Sequence, residues 1–246
     1  TSSGENGEKK VKTVKWFGFR LHLIAEARYE MPVAFKVTKA SNSERTENQN
    51  LLETMKEEKP ERIEKCEYMM EDKGYDGTDH IIWLEQEGIK PIIDIRNCWK
   101  DGEETHQYRD TDLVYDYKGT IWYVNEAGEK IKLAYKGYDK STDSLRYGFK
   151  PQYQDTRIFR IKCEEDRRIF TPVARQSYKW KRLYNERSGI ERINGRIDRD
   201  YKFEKHTIRG LDKMKMFLTT SFIVYLGMAK AKIERGQKEH LCKLYA

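Results

Sequence analysis

With 246 residues, 37% of them hydrophobic and 36% charged, the chain is long enough for one α/β domain with a real core, short for two, and too rich in clustered apolar residues to be disordered. Its 48 basic and 41 acidic residues leave a net charge of +7, which favours a polyanionic partner through counterion release, although many ordinary proteins are as basic. The four cysteines, Cys66, Cys98, Cys163 and Cys242, form no C-x-x-C pair, the longest apolar run stops at Phe222 to Ala229, and no charged-then-apolar leader opens the chain; zinc and disulfide frameworks, a membrane span and secretion are therefore not expected, and a reducing cytosol is.

Residues Thr1 to Thr13 are rich in Gly, Ser, Glu and Lys and read as a loop or frayed terminus. From Val14 to Ala25, Phe17, Phe19, Leu21 and Leu23 alternate with Gly18, Arg20 and His22, the period of a half-buried strand. Polar residues around Tyr29 and Glu30 make a turn, and Pro32 to Thr38 returns as the second strand of a hairpin. Ser43 has the chemistry of an N-cap for a helix that buries Leu51, Leu52 and Met55 before Pro60 ends its pattern.

The most regular unit follows. Glu67 to Glu71 is a short strand, Thr78 to Glu87 a helix closed by Gly88, and Pro91 to Ile95 another strand, the spacing of a right-handed βαβ crossover with parallel strands. Between residues 97 and 176 short alternating segments separated by glycine-containing turns predict a β-rich insertion within the same domain. From Ser177 the chain is helical through Glu191, and a last helix from about Leu211 to Glu234 is apolar on most faces, which predicts burial against the sheet.

Two places carry candidate chemistry. Asp72 stands at the carboxyl end of the first strand of the βαβ unit, where α/β folds build their sites, though an Asp before a Gly-containing turn is commonly a turn or cap residue. Asp76, just ahead of the helix, suits a cap better. In the segment from Tyr184 to Gly195, Glu191 lies four residues after Arg187 and seven after Tyr184; at roughly 100° per residue the three share a helix face within about 60°, while Ile190, Ile193 and Ile197 can anchor the opposite side. The plain alternative is an exposed helix with an ordinary i, i+4 Arg–Glu pair. The cations Lys179, Lys181, Arg182 and Arg187 lead into this helix, as a solvated face or a phosphate contact. His22 and His206 have no neighbours at metal-ligand spacing and read as structural or surface residues. The tryptophans at 16, 83, 99, 122 and 180 read as core or hairpin packing.

Taken in order, Lys15 to His22, Pro32 to Phe35 with Thr38 to Ser41, Asp72 to Asp76, Pro91 to Asn97, Arg167 to Pro172, Tyr184 to Gly195 and Phe203 to Gly210 resemble the insertion-sequence DDE transposases. These are a branch of the RNase H-like nucleases whose last acidic residue follows a Tyr, two residues, Arg, three residues, Glu pattern. The resemblance implies an α/β fold with an RNase H-like mixed sheet flanked by helices and the β-rich insertion before the helix bearing the last acid. It also implies metal-dependent cleavage and strand transfer on DNA with two Mg²⁺ or Mn²⁺ ions, in which Asp72 and Glu191 are catalytic metal ligands. Arg187 would hold a phosphate, and Tyr184 would hydrogen-bond the DNA backbone or buttress the arginine.

The family's first acidic residue lies on an opening strand that has no counterpart here, since no Asp precedes Asp72, and Glu26 at the hairpin tip reads as a turn residue. The resemblance thus covers a catalytic domain without its opening strand. Asp198 stands where the signature has a basic residue, flanked by Arg196 and Arg199. The partners implied are transposon-end and target DNA, with a homodimer and no membrane, in the cytoplasm of a bacterium and associated with the nucleoid. The competing expectation is a catalytically inactive remnant that keeps DNA or partner binding; a related nuclease without strand transfer is a third.

Overall fold

The computed structural model describes residues 18–241. The expectations for Thr1 to Thr13, for the start of the first strand at Val14, and for Trp16 and Cys242 lie outside the described residues. Within them the fold is mixed α/β, with its strands in four small sheets. Among the described residues the hairpin and the parallel pair are separate two-stranded sheets. The chain divides into two compact units, residues 1–51 with 194–246 and residues 52–193.

In the first unit, β1 (Phe19–Glu26) and β2 (Met31–Lys39) form the antiparallel hairpin. Glu26 has the turn role its position suggests, its carboxylate accepting the backbone N–H groups of Arg28 and Tyr29 at 2.9 and 2.7 Å, and Glu30 takes the left-handed conformation (φ 54°) that closes the turn. His22 is buried against Thr38, Nε2 to Oγ1 3.0 Å, and burial holds its pKa below the usual histidine value. His206 lies by the rings of Phe19 and Phe203, and its Nδ1 accepts the N–H of Ile208 at 3.1 Å, so both histidines are structural. Helix α1 (Glu44–Glu58) starts at Ser43, whose Oγ accepts the N–H of Thr46 at 3.4 Å.

The last helices of the chain are α5 (Ser188–Tyr201) and α6 (Leu211–Glu234). One side of α6, formed by Met214, Leu218, Ser221, Phe222, Tyr225 and Ala229, is buried at three- and four-residue spacing, and Phe222 meets Phe35 of β2 with ring centroids 4.6 Å apart. The expected burial against a sheet is met on that side; Met216, Ile223, Val224, Leu226, Met228 and Ile233 are exposed, because a two-stranded hairpin covers one side of a helix only. By length and composition α6 could cross a membrane, a test that the core helix of a soluble protein also passes. Arg196 is held by Glu30 at 2.5 Å, Arg199 by Asp200 at 2.7 Å, and the Asp198 carboxylate accepts the N–H of Glu204 at 2.9 Å.

In the second unit, the pattern of α1 ends at Glu58, ahead of Pro60 as expected, and Pro60 starts a short helix of its own, α2 (Pro60–Glu64), at the first position, where a missing N–H costs nothing. The βαβ expectation holds: β3 (Tyr68–Glu71) and β4 (Lys90–Ile93) pair in parallel with Glu71 opposite Ile93, joined by α3 (Thr78–Gln86), and Gly88 at φ 78° ends the crossover helix. Helix α4 (Tyr178–Glu186), capped by Ser177, packs Trp180 and Leu183 on Ile92 of β4 and Val173.

Between these elements the chain builds the β-rich region. The strands β5 (His106–Gln107), β6 (Leu113–Tyr115), β7 (Ile121–Val124) and β8 (Lys130–Lys132) make an antiparallel meander. The strands β9 (Ala134–Asp139), β10 (Ser144–Gly148) and β11 (Ile158–Lys162) make a second antiparallel sheet. Leu113, Tyr115 and Ile121 from the first sheet and Leu145, Tyr147 and Ile161 from the second meet in one core with Ile95, Ile169 and Phe170. Alternation along each strand makes this core: inward residues are apolar and their neighbours face out.

Candidate active site

All four residues singled out from the sequence, Asp72, Tyr184, Arg187 and Glu191, fall in the second unit. Asp72 immediately follows β3 and precedes a single 3₁₀ turn, Lys73–Tyr75, whose Tyr75 N–H returns to the Asp72 carbonyl at 2.9 Å. Asp72 thus follows a strand that, among the described residues, pairs only with β4, and its side chain is 61% exposed.

Helix α4 reaches the same place from the other end of the sequence. Packing of Trp180 and Leu183 against β4 fixes the helix, and Tyr184, one turn after Trp180, stacks on its indole with centroids 4.6 Å apart and planes 14° from parallel. The Arg187 guanidinium lies over the Tyr184 ring, 5.4 Å from the centroid, so Tyr184 buttresses the arginine from below. Burial pushes the Tyr184 phenol above its ordinary pKa, the nearby Arg187 opposing and Asp94 and Asp72 reinforcing the shift.

The helix expected to run unbroken through Glu191 is two helices. At Arg187 the backbone changes to three-residue hydrogen bonding, Arg187 N–H to Tyr184 O and Ile190 N–H to Arg187 O, and α5 begins at Ser188. Arg187 nevertheless keeps its reach to Glu191. Its Nη1 lies 3.2 Å from Glu191 Oε1 and 2.9 Å from Asp72 Oδ1. One guanidinium nitrogen therefore binds both acids, and the two carboxylate oxygens can be no farther apart than those two lengths laid end to end. The Glu191 side chain is 65% exposed, so both acids keep lone pairs open to solvent. The Arg187 Nε is buried and has no acceptor in bonding geometry.

Asp76 does not cap α3, whose N-cap is Gly77 without any side-chain bond. It is instead buried, accepting Arg168 Nε at 2.9 Å and the Arg96 N–H at 2.8 Å. Arg168 continues to the Arg96 carbonyl at 2.5 Å, and the buried Arg175 donates to the carbonyls of Ile93 and Ile169. These bonds fasten the loop after β3 to the loop after β4 and to the return from the β-rich region. Lys181 and Arg182 are exposed on α4, and Lys179 lies over the Tyr68 ring at 4.8 Å.

Sequence reasoning passed over Asp94. It follows β4 as Asp72 follows β3, and the Glu71–Ile93 register puts the two acids at the same level of the parallel pair. Its Oδ1 accepts the Ile95 N–H at 2.9 Å, and its Oδ2 lies 3.6 Å from Lys73 Nζ. An acid directly after each of two parallel strands was the available signal.

The donor chemistry of Asp72 and Glu191, exposed carboxylate oxygens, suits a hard divalent cation that keeps several waters. The number of donors is smaller than the resemblance implies: among the described residues no group of three or more His, Cys, Asp or Glu could hold a metal ion.

A family model described as a transposase DDE domain matches residues 1–226, nearly the whole sequence. No curated protein and no solved structure matches. The chain belongs to the transposase DDE-domain family, as an insertion-sequence DDE transposase, and DNA transposition is the function which that membership implies.

Proposed function

We propose that this chain carries out the phosphoryl-transfer chemistry of transposition, cutting DNA strands at element ends and joining the freed 3′ hydroxyl to target DNA. The observation that carries the reading is the bridge from one nitrogen of Arg187 to both Asp72 and Glu191, two acids distant in sequence that meet beside a guanidinium. An RNase H-like arrangement and Mg²⁺ or Mn²⁺ as the cation belong to the same proposal. When bound, the cation supplies charge neutralisation of the phosphate and a lowered pKa for an attacking water or hydroxyl.

The chain's own residues do the rest. Asp72 and Glu191 supply the oxygen ligands. Arg187 is released from between them to the scissile phosphate, where its planar fork binds two oxygens and its buried Nε gains the acceptor it lacks. Tyr184, stacked on Trp180, keeps the guanidinium at that height and turns its phenol toward the DNA backbone. In each transfer the attacking oxygen loses its proton and bonds to phosphorus as the bond to the leaving oxygen breaks. Two DNA ends handled together call for two copies of the chain, so the working form is a homodimer on DNA, in the bacterial cytoplasm and associated with the nucleoid.

Incubation of the chain with duplexes carrying element ends, with and without Mg²⁺, tests the reading: nicking and joining should need the ion and vanish in Asp72→Asn and Glu191→Gln. Joining that persists in both variants removes the site assignment. A second reading, DNA binding without cleavage, draws on the pair of acids where three would be expected. It predicts DNA affinity with no ion-dependent nicking.

A further inference from the structure

The face of the β9–β10–β11 sheet turned away from the core carries an unusual charge pattern. In this sheet Leu145 and Tyr147 point inward with Ile161 and Phe159 opposite them, so Arg146, one residue out of phase, points outward. Its register partner on β11 is Arg160, and Ser144, on the same face, is opposite Lys162. Like charges placed directly across two strands repel, and such a pair is unfavourable unless something negative lies between or over it.

On the other side, Arg146 is opposite Gly137, where the register slips between Arg146 and Tyr147. Gly137 takes φ 129°, a conformation side chains rarely adopt, and the extra residue of this bulge is Lys136. The bulge swings the Lys136 stem over Gly148: a Cβ on Gly148 would come within 3.3 Å of Lys136 Cε and 3.1 Å of Ile158 Cδ1. A Cβ on Gly137 would likewise meet Arg146 Nη2 at 3.2 Å. Two positions on this face are thus held to glycine, which leaves a low shelf beneath the long cationic side chains.

The counter-charges are few. Asp139 pairs with Arg160 at 2.5 Å, and Lys162 Nζ donates to the Thr142 carbonyl at 2.9 Å. Lys136 is exposed, and the side chains of Lys136 and Arg146 make no ion pair or hydrogen bond among the described residues; the Arg146 Nε is buried without an acceptor. Four cations against one carboxylate, spread along three strands, match a row of phosphates rather than a single anion.

We infer that this outer sheet face is a second DNA-binding surface, separate from the Asp72–Glu191 site, which grips the phosphate backbone of a duplex through Lys136, Arg146, Arg160 and Lys162. The inference rests on the reading of the chain as an enzyme acting on DNA. The contacts are to backbone and not to bases, so they add affinity and orientation without sequence preference.

Fluorescence anisotropy of the full chain with a short duplex of arbitrary sequence, without divalent cation and over a range of KCl concentrations, tests it. Removal of two phosphate contacts in the double variant Lys136→Gln, Arg146→Gln should flatten the slope of log affinity against log salt by about 1.8. A control with the same loss of charge on exposed lysines elsewhere, Lys59→Gln with Lys65→Gln, should keep the wild-type slope. Lys136→Gln alone, at an exposed bulge position, should flatten it by about 0.9 and serves where the double variant unfolds. Equal slopes for the face variants and the control overturn the proposal, and if Glu191→Gln still abolishes nicking, the proposed function survives that result. A wild-type chain without salt-dependent DNA binding sinks both.

Discussion

Two acids four residues apart, Asp72 and Asp76, lead opposite lives. The Asp76 carboxylate is 1% exposed and fully engaged, by Arg168 and by a backbone N–H. The Asp72 carboxylate is 61% exposed and shares one nitrogen of Arg187 with Glu191. Both are ion-paired to arginine, yet burial separates their roles. A carboxylate removed from water must have all its lone pairs satisfied and cannot exchange partners cheaply, so it becomes a rivet. A carboxylate in water gains little from its pair and can release it for a cation or a phosphate. On the proposed reading the turn after β3 offers the first acid for chemistry, while the second holds the turn in place.

The comparison breaks first on activity. Asp72→Asn or Glu191→Gln should lower ion-dependent DNA nicking by at least about 10³-fold while the thermal midpoint stays near wild type, since surface changes away from buried features stay within about 0.5 kcal/mol. A large loss of stability in either variant would mean that the exposed acids are rivets too. The reverse signature belongs to the buried partner: Asp76→Ala leaves the Arg168 guanidinium, itself 16% exposed, without its counter-charge and should destabilise the fold by about 3–5 kcal/mol in urea unfolding. If Asp76→Ala unfolds like wild type, the buried bridge is not what fixes the turn.

Smaller effects sharpen the contrast. Arg187→Lys keeps the charge and loses the fork, and should reduce nicking by roughly 10- to 100-fold with little change in stability, because a lysine cannot make the two parallel bonds to a phosphate. Activity equal to wild type would make Arg187 a mere point charge. Smallest of all is the pair energy itself: a double-mutant cycle on Arg187 and Glu191 should return about 0.3–0.5 kcal/mol and fade in high salt. A coupling of several kcal/mol would place this pair with Asp76 and Arg168 instead.

Much of the local structure was legible. The period-two runs of the hairpin, the strand–helix–strand spacing up to Gly88 and the cap at Ser43 all report on neighbours a few residues away, and each reappears in the structure. The Arg187–Glu191 contact was equally local, four residues on a helical path, and it persists although the helix restarts at Ser188. Less legible was what lies beyond the element. Pro60 marks the end of one helix pattern, as read, but only the structure shows that it also begins a short helix. Helix α6 lies against the hairpin through Phe222, as its apolar residues predict, yet the hairpin covers one side only.

By itself the sequence determined the periodicities, the order of the family's motifs and the presence of an acid at each of two places, because these follow from residue type and short-range spacing. The tertiary structure alone decided that Asp72 meets Arg187, that Asp76 is buried under Arg168 and that Asp94 stands level with Asp72. Those facts depend on which helix packs on which strand. Trp180 and Leu183 seated on Ile92 carry the end of α4 to the end of β3, and no local pattern records that meeting.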